Sequence, residues 1–382
     1  MHERSANYEK NQAGSSNISV SHARNLRYAK AMSAEPIPTR GAAGNPPNRF
    51  ERIHIEPDED WNPEEDPLPR TQFLHDRTST LIAFNDSPDV GFEASINPYR
   101  GCEHGCIYCY ARPFHEYLGF SSGLDFETKI MVKTDAPTLL RQELASPKWR
   151  PKVIAMSGVT DCYQPIERRL KLTRGCLEVL AEFRNPVAII TKNVLVTRDV
   201  DVLGELANHQ AAAVFISLTT LDTELRKVME PRTSPPAARL AAISTLAKAG
   251  IPVGVLIAPL IPGLTDHEIP SLVEAAANAG ARTAGYVILR LPHAVAPMFE
   301  QWLTRHFPDR KEKVLNRLRD MRDGKLYEYA FGKRMRGEGI FADQIASLFD
   351  VACRKHRLDG DLPELSTASF RRLAKNQMEL AF

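Results

Sequence analysis

The sequence predicts an α/β fold built on a parallel sheet, and three observations carry that expectation. Short β-branched runs alternate with helix-period segments along the middle of the chain. Glycines close two of the helical segments. Of the 382 residues, 43 % are hydrophobic against 25 % charged, which supplies a sizeable core and excludes a chain disordered throughout. In order, the strand candidates are a run near Phe92–Asn97, then Val153–Met156, Val187–Thr191, Ala213–Leu218, Val253–Ala258 and Ala284–Leu289, each bounded by Gly, Pro, Asn or Asp. Between them lie Leu170–Phe183, Asp199–Asn208, Ala237–Ala249 and His267–Ala279, with apolar residues at helical spacing; Gly250 and Gly280 stand just past the last two. Six βα units of this kind mean a parallel sheet with right-handed crossovers. Period alone does not choose between a doubly wound sheet and a partial barrel.

The flanks differ in texture. Residues 1–70 alternate Ser, Asn, Gly, Ala and Pro with scattered charge, and Glu56 to Asp66 is acidic around two prolines. No period is legible there, so a disordered, solvated tail is expected, the alternative being a tail that orders over the domain or a partner. Beyond Pro292 the strands stop, and Phe299–His306, Lys311–Met321 and Gly339–His356 read as helices. The expected organisation is a tail over 1–70, a core over 71–292 and a C-terminal helical extension over 293–382.

Lys and Arg total 49 against 47 Asp and Glu, so no global field draws the chain to nucleic acid or anionic lipid. A local patch is needed for such a partner. Arg305 to Arg336 holds eleven Lys and Arg against five Asp and Glu, which reads as a solvated helix face or a phosphate-contacting surface. No apolar run approaches the roughly 18 residues of a membrane span, and the N-terminal residues lack a secretory h-region. A cytoplasmic setting is expected, with the six cysteines as thiols, metal ligands or redox groups.

Cys102, Cys106 and Cys109 stand in GCEHGCIYCYAR, a C-x3-C-x2-C run directly after the first strand candidate. Three thiolates so close in sequence can converge on one centre. A structural zinc wants four ligands, and the chain has no second cysteine pair to complete one. A [4Fe–4S] cluster is also normally held by four cysteines, so three leave one iron for a non-protein ligand.

This motif, at the head of a (βα)6 chain, resembles the radical S-adenosylmethionine superfamily, and with the later motifs the branch that contains spore photoproduct lyase. The resemblance runs over roughly residues 92–292 and implies a partial (βα)6 TIM-type barrel. It implies one [4Fe–4S] cluster whose fourth iron binds S-adenosyl-L-methionine, reductive cleavage of that cofactor, hydrogen abstraction from a substrate, and a low-potential electron donor such as flavodoxin or ferredoxin. The cofactor carries the hard chemistry, while the protein orients it and excludes water.

Carried over residue by residue, the resemblance implies a role near the adenine for Tyr108 in CIYCY, whose bland alternative is a core aromatic. Ser157, Gly158, Thr160 and Asp161, in AMSGVTDCYQP after the second strand, match the position that receives the cofactor's amino group. Lys192 in ITKN matches a lysine that pairs with the cofactor carboxylate, Ser217 in ISLTT a ribose-binding hydroxyl, and Pro259, closing Gly254–Pro259, the motif beside the adenine. Where the photoproduct lyases place a hydrogen-donating cysteine this chain has Gly158, with Cys162 just beyond. The same repair reaction is therefore not implied, and Cys162 is either a radical quencher or, as free cysteine usually is, a buried thiol.

The leading expectation is a radical enzyme acting on an unidentified substrate. A nucleic-acid repair or modification enzyme of the same superfamily is the first alternative, supported by the basic segment. A structural zinc protein acting as a binding module is the second.

Overall fold

A computed structural model of the chain describes residues 37–51, 70–361 and 364–373. Among these residues β1 (Gln72–His75), β2 (Ala83–Phe84), β3 (Ala94–Ile96), β4 (Tyr99–Arg100) and β5 (Lys129–Val132) precede β6 (Ile154–Met156), β7 (Val187–Thr191), β8 (Ala212–Ser217), β9 (Val253–Leu260) and β10 (Thr283–Ile288). β3 and β6 to β10 lie side by side in sequence order and all parallel, with β2 antiparallel on the outer edge of β3. A doubly wound sheet reverses its strand order part-way. Here every βα unit adds its strand on the same side of the last, which is the winding of a barrel, left open between β10 and β2.

The helices that return the chain form at Leu172–Phe183, Val200–Ala207, Pro236–Lys248 and Ile269–Ala279, close to the expected segments. β8 is buried along nearly its whole length, as expected of a parallel strand covered on both faces. Helices Val295–His306, Pro308–Asp320 and Ile340–His356 follow the barrel. The last lies against β10, with Phe349 4.7 Å from Tyr286 between ring centres. The exposed side of β10 is also closed off, because Ile288 N–H donates to the Met335 carbonyl at 2.9 Å and Ala284 N–H to that of Leu358 at 3.2 Å.

Two features were not legible in the sequence pattern. β1, β5 and β4 make a separate three-stranded sheet, each strand too short for its period to show. Residues 37–51, expected within a solvated tail, instead order over the domain; the remainder of 1–36 and 52–69 lies outside the described residues. The buried Glu127 carboxylate accepts from Gly41 N–H at 3.1 Å and Ala42 N–H at 2.8 Å, and Ser121 Oγ donates to the Pro46 carbonyl at 2.6 Å. Composition read as polar and solvated is here spent on hydrogen bonds to the domain.

Candidate metal centre

The loop between β4 and the 3-10 helix Arg112–Leu118 carries the three cysteines. Cys102 N–H donates to the Phe126 carbonyl at 2.8 Å, and Arg112 Nε donates to that of Cys106 at 3.0 Å. Arg112 is fully buried against Glu127 at 2.5 Å, so a paired cation rather than water supports the loop from below. Gly105 sits at φ +66°, and a methyl group there would lie 2.7 Å from Glu127 Oε2, so the turn between the first two cysteines requires glycine.

Cys102 and Cys106 are buried and Cys109 half-buried. Burial pushes all three thiols above the usual range; at Cys102 the charges of Asp161, Cys106 and Cys109 add to it, while at Cys106 and Cys109 the Lys192 ammonium opposes it. Lys192 thus favours the thiolate at Cys106 and Cys109, while Cys102 is acted on by Asp161 and by the other two thiols. Among the described residues no three His, Cys, Asp or Glu side chains are gathered closely enough to hold a single metal ion. The donor set is three soft sulfurs on one glycine-punctuated loop, which suits a multi-atom iron–sulfur group more than a closed zinc cage.

At the end of β6, Ser157 adopts φ +80°, unusual for a residue with a Cβ, and its hydroxyl accepts from Cys162 N–H at 2.9 Å. Gly158 lies against Ser95, and its carbonyl accepts from the Tyr110 hydroxyl at 2.7 Å. Thr160 donates to the Tyr99 carbonyl at 2.8 Å. Burial would raise the pKa of Asp161, yet His104 and the backbone N–H groups of Lys192 and Tyr163 hold it at about 2. Cys162 is 1 % exposed with its thiol pushed up by burial, the environment of a buried thiol.

Lys192 follows β7, and its Nζ donates to the Ala258 carbonyl at 3.2 Å while lying 5.9 Å from the centre of the Tyr108 ring. Ala258 is joined to Pro259 by a cis peptide bond at the end of β9. Tyr108 is buried and its hydroxyl donates to Glu230, which also accepts from Thr219 at 2.7 Å and pairs with Arg239. Burial opposes the charge of Glu230, but Arg239 and Lys192 hold its pKa down at about 2. Arg239 reaches on to the Ser217 carbonyl at 2.9 Å. The structure thus brings Tyr108, Lys192 and Pro259 together beside the cysteines, and ties Ser217 to them through Arg239.

Glu103, His104, Glu230 and Arg239 escaped the sequence reading. Glu103 and His104 lie inside the cysteine motif itself, which was the available signal; Glu230 and Arg239 carry none. Residues of the basic segment have partners within the structure. Lys333 pairs with Glu338, Arg334 with Asp89, Arg336 lies over the Tyr286 ring at 3.7 Å, and Arg317 pairs with Asp266 at 2.5 Å. Arg317, Arg334 and Arg336 tie the extension to residues that precede it, while the Lys333–Glu338 pair lies within it. A cavity of about 350 Å³ between residues 262–267 and helices Pro308–Asp320 and Ile340–His356 includes none of the cysteine-loop residues.

Residues 96–276 match the family model for the radical SAM superfamily. Uncharacterized protein Rv2578c of Mycobacterium tuberculosis (strain H37Rv) is 36 % identical over 285 residues, spanning 73 % of this chain and 80 % of that protein. Uncharacterized protein MJ0683 of Methanocaldococcus jannaschii is 32 % identical over 184 residues, 48 % of this chain and 66 % of its own length. Among solved structures, a spore photoproduct lyase double mutant with bound AdoMet and dinucleoside spore photoproduct aligns with a TM-score of 0.53 at 18 % identity, over 74 % of this chain and 78 % of that one. At that identity the likeness speaks for the fold.

Proposed function

The chain belongs to the radical SAM superfamily, and from that premise we propose that Cys102, Cys106 and Cys109 hold one [4Fe–4S] cluster used to cleave S-adenosylmethionine reductively and abstract hydrogen from a substrate. The observation that carries the reading is that the Lys192 Nζ, reaching in from the end of β7, lies 5.9 Å from the centre of the Tyr108 ring inside the three-cysteine run and donates to the Ala258 carbonyl at 3.2 Å. The chemistry such a centre supplies when bound is one-electron cleavage of the cofactor and hydrogen abstraction by the resulting radical. The chain's own residues bind and orient. The cysteines are the ligands for three irons, Lys192 offers a charge-assisted bond to the cofactor carboxylate, and Tyr108, fixed by Glu230, walls the pocket on one side. Ser157 and Gly158, at the close approach of the β6 end to β3, form the backbone shelf for the amino group. A low-potential flavodoxin or ferredoxin is the class of donor for this reading, and a cytoplasmic setting suits it; no helix among the described residues is long and apolar enough to cross a membrane. Iron and acid-labile sulfide after anaerobic reconstitution test the ligand set. About four irons per chain are expected for the wild type and none for a Cys102/Cys106/Cys109→Ala variant. Zinc without sulfide, or full iron in the variant, overturns it.

A nucleic-acid substrate is a second reading, favoured by exposed rings rather than by the basic segment. Phe50, Phe114 and Tyr117 are all more than half exposed, with Phe50 4.8 Å and Phe114 6.4 Å from Tyr117, and Arg49 lies 5.0 Å over Phe50. Exposed aromatic surfaces suit unpaired bases, and Arg49, paired with Glu116, holds Phe50 in place beside them. Filter binding of single-stranded DNA and RNA should then weaken in Phe114/Tyr117→Ala and with rising salt. No binding by the wild type at low salt removes this reading.

A further inference from the structure

We infer that Asp161 is a positioning residue that locks the cysteine loop to the strand end bearing Lys192 and does not itself contact the cofactor. The inference rests on the reading above for its consequence at the cofactor, but the lock is a property of the chain alone. Oδ1 accepts from Tyr163 N–H at 2.9 Å and from the Thr191 hydroxyl at 2.8 Å. Oδ2 accepts from Lys192 N–H at 2.8 Å and faces His104 Nδ1 at 3.3 Å. A carboxylate offers about four lone-pair sites, so none is left for a ligand's ammonium group.

The donors come from separate parts of the barrel: the cysteine loop, the segment after β6 and the end of β7. His104 extends the connection, since its Nε2 lies 3.2 Å from Asn193 Nδ2, and Asn193 N–H donates to Thr191 Oγ1 at 3.0 Å. Thr191 then donates back to Asp161, closing a ring of Asp161, His104, Asn193 and Thr191. Both ring nitrogens of His104 are engaged, Nδ1 facing the Asp161 carboxylate and Nε2 the Asn193 side-chain amide. His104 and Thr191 are each 1 % exposed, so water does not substitute for a lost member. Such a fully satisfied buried network moves as a unit, and loosening one member releases both the cysteine loop and Lys192.

Hydrogen exchange read by mass spectrometry on the iron-free, full-length chain tests the lock. Asp161→Asn keeps the side-chain shape but sets an amide N–H2 against existing donors. Exchange over residues 102–109 and 191–193 is expected to rise together by about tenfold or more. A rise confined to 157–163, or none, overturns the inference. Should Asp161→Asn fail to fold, Thr191→Val, which removes one of the four donors, decides the matter: it is expected to raise exchange in the same two segments, to a smaller extent. In the iron-loaded protein, Asp161→Asn is expected to weaken S-adenosylmethionine and its analogue lacking the amino group by the same factor. A loss confined to S-adenosylmethionine would make Asp161 a direct ligand. A wild type that takes up no iron defeats the cluster reading, while the exchange result still decides the lock.

Discussion

Lys192 stands where a single side chain sets the charge of the pocket, because its ammonium acts on two thiols and on the buried Glu230 at once. Lys192→Met is expected to leave iron content unchanged and to weaken S-adenosylmethionine binding by about 1.5–3 kcal/mol, the size of a hydrogen bond to a charged group. Unchanged affinity in calorimetry contradicts that role. His115 offers an independent test of packing under the same loop. It is buried between Phe120 and Phe126, with ring centres 5.2 and 5.7 Å away, and burial pulls its pKa down to about 4. The unfolded chain takes up a proton near pH 6.5, which the folded chain refuses until near pH 4. Stability is therefore full above about pH 6.5 and falls as pH drops towards 4, by up to about 3 kcal/mol. Denaturant titrations at pH 7 and 4.5 should show this loss, and His115→Phe should flatten it. The three cysteines were legible because the residue type is rare and the spacing short. Glu230 was not, since Tyr108, Thr219 and Arg239 reach it only once distant segments have folded together, and Asp161 was legible as a position but not in its role.

At the scale of elements, residues 40–49 form a strap over the cysteine loop. A methyl group on Gly41 would meet the Gly105 carbonyl oxygen at 1.8 Å, so the strap and the loop touch backbone to backbone. Arg40 donates to the Glu127 carbonyl at 3.2 Å, and Asn48 donates to that of Glu116 at 2.9 Å. Gly41→Ala is expected to force the strap away, costing about 1–3 kcal/mol as overpacking does, and to speed proteolysis within 37–51; an unchanged melting temperature and cleavage pattern would count against the strap. The barrel strands were legible since each joins a neighbouring βα unit and is apolar enough to show its run. β1 and β4 were not, because strands of four and two residues acquire their identity from β5, a partner read from no local pattern.

For the whole molecule, the common parallel direction of β3 and β6 to β9 brings the loops after β6, β7, β8 and β9 to one end, where Ser157, Lys192 and Pro259 can meet the cysteine loop. The extension closes the outside of β10, and its Tyr327 hydroxyl accepts at 2.9 Å from Arg290, which lies 5.2 Å over Tyr110 beside the last cysteine; this couples residues 293–361 to the mouth of the site. The sequence pattern specified this winding only up to the number of units; the choice of barrel over doubly wound sheet lay in long-range register. The most direct test is to reconstitute the chain anaerobically, reduce it, and measure 5′-deoxyadenosine formed from S-adenosylmethionine. Formation is expected in the wild type, little in Lys192→Met at limiting cofactor, and none in the Cys102/Cys106/Cys109→Ala variant. A reconstituted wild type that holds about four irons yet forms none, or a triple variant that forms as much as the wild type, contradicts that expectation.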